Sequence, residues 1–201
     1  YLFQYREHIY EIFEEICGAR LTTNIGRIGG LERDFNDIAF AKINKFLKEF
    51  PVALKEFESL LNRNRIFIDR TAGVATVTPE MALSYGWTGP LLRATGVDYD
   101  VRVSEPYSSY QDFDFEVPVG TSGDIYDRYL VRNEEMWQSV RIIEQAMEKL
   151  KSEPKGVFHA DVPAFYLPAK EEVYNNMEAL MYHFKIVMSQ IDGTKAKVYQ
   201  A

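Results

Sequence analysis

VPVGTSGDIYDRYLVRNEEMWQSVR, residues 117–141, moves from a glycine-punctuated turn into a long run with helical spacing. Asp124 and Asp127 open that run, where carboxylates complement the positive end of a helix, and Lys149 and Lys151 close it. Tyr129, Met136, Val140, Ile143, Met147 and Leu150 recur along one face at near-heptad spacing. The pattern predicts a helix from about Asp124 to Lys151, which at ~1.5 Å per residue would reach roughly 40 Å. A helix of that length needs partners for its apolar face, so the chain is expected to be mainly α.

The flanks supply those partners. Phe3, Ile9, Ile12, Phe13 and Ile16 mark a first helix that Gly18 stops. Asp34 is the expected cap of a second, with Phe35, Ile38, Ile43, Phe46, Leu47 and Phe50 inward, and Pro51 either kinks it or opens another. Thr78-Pro79-Glu80 reads as the start of a short helix ending at Gly86. Val97, Tyr99, Val101, Val103 and then Phe113, Phe115, Val117 alternate with period two, predicting a small antiparallel pair. A last helix is expected over Lys170–Ile191, with Val173, Met177, Leu180, Phe184 and Val187 inward and Gly193 ending it. The fold class is therefore a helical-bundle core with a two-stranded β insertion. One helical domain is expected over 1–201, with 64–118 an irregular insert within it.

Composition narrows the function. A net charge of -7 and a pI near 5.1 disfavour nucleic acid and anionic membrane surfaces, both of which attract clustered Lys and Arg. No stretch reaches the ~18 uninterrupted apolar residues of a membrane span. The single cysteine, Cys17, excludes an internal disulfide or an iron–sulfur cluster held by these residues alone, and favours a reducing compartment. His8, His159 and His183 show no ligand spacing, even with Asp161 near His159, so no metal is expected. Glu14-Glu15 and Glu134-Glu135 are neighbours in sequence, hence about 100° apart on a helix, and read as solvated faces rather than an acid–base pair. The glycines of 27–30 and 120–123 lack phosphate-loop spacing and read as tight turns. No catalytic constellation emerges.

Longer stretches carry a resemblance. YREHIYEIFEEICGARLT (5–22), RIGG (27–30), LLNRNRIFIDRTAGV (60–74), YGWTGPLLRATGVDYDVR (85–102), PYSSY (106–110), the 117–141 run and MEALMYHFK (177–185) are, in order, similar to the quinone-site D subunit of respiratory complex I, the NADH:quinone oxidoreductase. The stretch 157–168 falls outside these matches. The resemblance implies a hydrogenase-large-subunit-like fold, and implies that the 201 residues are an internal piece of a longer subunit. It also implies a place on the cytoplasmic face of the bacterial inner membrane, attached through the complex without inserting directly. The task implied is to form, beside the subunit bearing the terminal iron–sulfur cluster, the cavity where quinone takes electrons from NADH. NADH and the clusters would reside on partner subunits, and no cofactor on this chain. The family's histidine and tyrosine quinone ligands fall upstream of Tyr1, as does the pocket's acidic residue, so none of these residues is implied to be catalytic. Phe3 would line the quinone cavity, and Arg20, Thr22 and Arg27 would face the cluster-bearing subunit. Mitochondrial relatives carry a histidine where Thr22 stands. Arg93, Asp100 and Arg102 would form a structural charge network. Two other readings are a hydrogenase-like or plastoquinone-type relative and a purely structural assembly scaffold.

Overall fold

A computed structural model describes residues 2–27, 29–152, 156–160 and 166–189. The chain divides into two compact units, Tyr1–Ile9 with Phe40–Pro154, and Tyr10–Ala39 with Lys155–Ala201.

Helix α1 (Leu2–Cys17) contributes its first residues to the first unit and the rest to the second. Helix α2 (Asp37–Leu61) lies almost wholly in the first unit and continues through Pro51, whose missing N–H leaves the Leu47 carbonyl without its usual donor. The cap of α2 is Asn36 rather than Asp34, because the Asn36 side chain accepts the Ala39 N–H at 2.7 Å. In the first unit the Tyr5 and Phe50 rings approach to 5.8 Å, and Phe46 stacks on Phe50 at 4.8 Å.

Four short helices follow, α3 (Arg65–Thr71), α4 (Pro79–Ser84), α5 (Gly89–Arg93) and α6 (Val101–Ser104). Thr78 caps α4 through its hydroxyl, as its Thr-Pro-Glu start predicts. Helix α7 (Ile125–Ser152) matches the long helix expected from the 117–141 run to within a residue at each end. Its start is fixed from outside as well as from within. The Asp124 carboxylate accepts the Asp127 N–H at 2.8 Å and the Gly73 N–H at 2.7 Å. Side chains in the middle of α7 bond to the C-terminal end of α2, where Glu58 accepts from Trp137 Nε1 at 2.6 Å and Asn133 Nδ2 at 2.8 Å. The Tyr129 hydroxyl donates to Asn62 Oδ1 at 2.7 Å. Ala53, Leu54, Leu92, Ala94, Val131, Val140 and Met147 are buried in this unit.

The expected antiparallel pair within 64–118 does not form. Val101–Ser104 is helical, because Asp100 caps it by accepting the Arg102 N–H at 2.9 Å. The second run, 113–117, forms no strand but does alternate, with Phe113, which is extended, Phe115 and Val117 partly buried and Asp114 and Glu116 exposed. At Asp114 and Glu116 its backbone partners are side chains of α7. Gln145 Oε1 accepts the Asp114 N–H at 2.8 Å, Gln145 Nε2 donates to the Asp114 carbonyl at 2.7 Å, and Gln138 Oε1 accepts the Glu116 N–H at 3.0 Å. Two helix-borne amides thus do what a neighbouring strand would do.

The two-residue strands that do occur among the described residues are β1 (Gly26–Arg27) and β2 (Gly30–Leu31), paired antiparallel in the second unit. They lie in a region read from sequence as a loop. Residues 158–160 extend this pairing, with the Leu31 N–H donating to the Phe158 carbonyl and the Ala160 N–H to the Gly29 carbonyl, both at 2.9 Å. The expected last helix is broken at Asn176 into α8 (Lys170–Asn175) and α9 (Met177–Ser189). Asn176 is extended, and its side chain accepts the Glu178 N–H at 2.9 Å, so it ends one helix and caps the next. The stripe expected to face inward is exposed along α9 at Met177, Leu180, Phe184 and Val187, whereas Ala179 is buried. Ile191, Gly193 and Asp161 lie outside the described residues.

Candidate functional site

The densest charge chemistry in the first unit gathers around α5 and α6. Pro90 sets the first turn of α5 and places Arg93 in its last, and the loop behind Arg93 returns Asp100 as the cap of α6. Arg93 is about 5% exposed, so its cation must be matched inside the protein. It meets Asp100 Oδ2 at 3.3 Å, donates to the Tyr99 carbonyl at 3.1 Å, and pairs with Glu135 of α7 through Nη2. Its Nε has no hydrogen-bond partner among the described residues. Arg102 grips the same Asp100 carboxylate with Nη2 at 2.6 Å and Nε at 3.0 Å, and lies over the Phe115 ring at 4.8 Å.

Two cations and two anions make a closed, charge-neutral group. The Arg102 side chain holds the Asp100 carboxyl below the usual carboxylate range, against the upward push of burial. The reciprocal bond to Asp100 raises Arg102. The shifts of Asp100 and Arg102 are in the directions that preserve their charges near neutrality, so the arrangement suits fastening rather than proton transfer. It fixes the 94–100 loop to α7 beside a cleft of about 530 Å³, whose walls include Pro90, Tyr107 and Ser139.

The positions named from sequence are placed as follows. Arg93, Asp100 and Arg102 come together, and Glu135 completes them. Sequence reasoning assigned Glu135 to a solvated face, and the structure corrects this. Glu135 falls between the buried residues Val131 and Gln138, at i+4 and i+7 of one helix face, which is the signal that could have found it. Phe3, in the first unit, is 77% exposed on α1. The others lie in the second unit. Arg20 pairs with Glu14 at 3.2 Å and sits over the Tyr10 ring at 5.7 Å. Thr22 is exposed, and the backbone of Arg27 pairs with Gly30 in the hairpin. Among the described residues, no three His, Cys, Asp or Glu side chains converge as a metal site, and no helix is long and apolar enough to cross a membrane.

Comparison with known proteins settles the family. The family described as "Respiratory-chain NADH dehydrogenase, 49 Kd subunit" matches residues 1–201. The chain belongs to this 49 Kd subunit family. The second NADH-quinone oxidoreductase D subunit of Cytophaga hutchinsonii is 68% identical over the whole chain, which covers 51% of that protein. The D subunits of Flavobacterium psychrophilum and Leptospira biflexa are 62% and 48% identical, again over the whole chain, with 48% and 49% of their lengths covered. This member of the 49 Kd subunit family thus spans about half the length of these relatives. The resemblance read from the ordered stretches between residues 5 and 185 is borne out.

Proposed function

We propose that the full-length protein is the D subunit of an NADH:quinone oxidoreductase, and that this part of it helps to wall the quinone cavity beside the subunit bearing the terminal iron–sulfur cluster. The observation that carries the reading is the family match over all 201 residues, joined to relatives named as D subunits of NADH-quinone oxidoreductase. Those names favour it over a hydrogenase-like or plastoquinone-type relative. Electrons would originate from NADH and pass through clusters on partner subunits. The protein would sit on the cytoplasmic face of the bacterial inner membrane, held there by the other subunits.

In this proposal Phe3 contributes an aromatic face to the cavity, and its 77% exposure leaves that ring free for a ligand or a neighbouring subunit. Arg20, Thr22 and Arg27 would meet the cluster-bearing subunit. The 201 residues alone are proposed to bind no iron, nickel, flavin or NADH and to have no oxidoreductase activity. Stoichiometric iron or flavin in the purified 201-residue chain would contradict that.

The test of the site is Phe3→Ala in the assembled complex. Because the ring is exposed in this chain, its truncation removes little packing here, and assembly is expected to persist. Quinone-dependent turnover should fall, or the apparent KM for quinone rise, relative to NADH oxidation by an artificial acceptor that bypasses the cavity. An unchanged ratio together with unchanged inhibitor sensitivity in assembled enzyme would remove Phe3 from the cavity wall.

A further inference from the structure

We draw no further inference here: the strongest candidate, the exposed apolar face of α9 formed by Met177, Leu180, Met181, Phe184, Val187 and Met188, carries nothing because nothing in the structure shows what covers it.

Discussion

Gly123 shows at the residue scale how closely the turn before α7 is packed. Its φ of +67° lies in the left-handed region, and a Cβ placed there would overlap the Val77 carbonyl oxygen. That carbonyl belongs to the residue whose own N–H donates to the Gly123 carbonyl at 3.1 Å, while the Gly123 N–H donates to the Ala94 carbonyl at 2.9 Å. A methyl group at this point therefore pushes apart two backbones that are bonded to each other. Gly86 provides a control, since its φ of +68° is almost the same but a Cβ there would meet nothing within 4 Å among the described residues. Gly86→Ala should cost only the left-handed penalty, about 1–2 kcal/mol. Gly123→Ala should exceed it by at least about 1 kcal/mol, as clashing backbone must move. Urea unfolding of the two variants measures the difference, and equal losses would mean that the close approach relaxes without penalty. At Asp100 the logic is electrostatic. Asp100→Ala removes the carboxylate shared by Arg93 and Arg102 and leaves Arg93, about 5% exposed, with Glu135 as its remaining anion. Breaking a buried pair from one side typically costs about 3–5 kcal/mol, so a loss below about 1 kcal/mol in the same experiment would show the cluster to be energetically idle.

At the scale of elements, α7 organises the first unit by offering different chemistry at successive positions. Its N-terminus is held by Asp124, its middle carries Glu135 to Arg93, and Gln138 and Gln145 bind the 113–117 segment. Replacing both glutamines by alanine should release the Asp114 and Glu116 amides. Each lost bond is worth about 0.5–1.5 kcal/mol. Amide hydrogen exchange at those two positions should accelerate about tenfold or more while exchange in the middle of α7 stays protected. Unchanged exchange would mean that ring packing of Phe113 and Phe115, not the amides, holds the segment. The same element explains what was legible beforehand. Helix α7 was readable because its periodicity, its early aspartates and its late lysines agree, and all three are local properties of the sequence. The false strand pair had alternation alone. Alternation reports that one side of a segment is buried, and helix-borne amides can satisfy an extended backbone as well as a second strand does. At 97–103 the cap at Asp100 overrode the pattern altogether. The Arg93–Asp100–Arg102 grouping could be drawn from the family resemblance, but Glu135, distant in sequence and beside the solvated Glu134, needed the helix face to reveal it. Asn176 shows the same limit, since a single capping side chain split a helix whose apolar spacing runs on without interruption.

For the molecule as a whole, net charge and buried carboxylates set the response to acid. Asp100 is held low by its bonds to Arg102. At Asp124 burial pushes the carboxyl upward, but backbone N–H groups from Asp127, Gly73 and Tyr126, with the charge of Arg128, outweigh it and leave it below its ordinary value. In the unfolded chain both groups return to about 3.9. The folded state therefore binds fewer protons than the unfolded state between those values, and stability rises with pH in that interval. The contribution of both carboxylates is complete above about pH 5 and is lost progressively as pH falls through 4 toward their lower folded values. A net charge of -7 adds a modest opposing trend, because protonating exposed carboxylates at mildly acid pH first relieves self-repulsion. The urea midpoint of the 201-residue chain should thus be flat or slightly rising from pH 7 to about 5 and should then drop steeply below about 4. Asp100→Asn combined with Asp124→Asn separates the two effects. It keeps the shape of both side chains and removes their titration, so the double variant should be less stable at pH 7 yet lose less on acidification. If its acid limb is as steep as that of the unmodified chain, other carboxylates govern the transition, and the two buried aspartates act through hydrogen-bond geometry rather than through their charge.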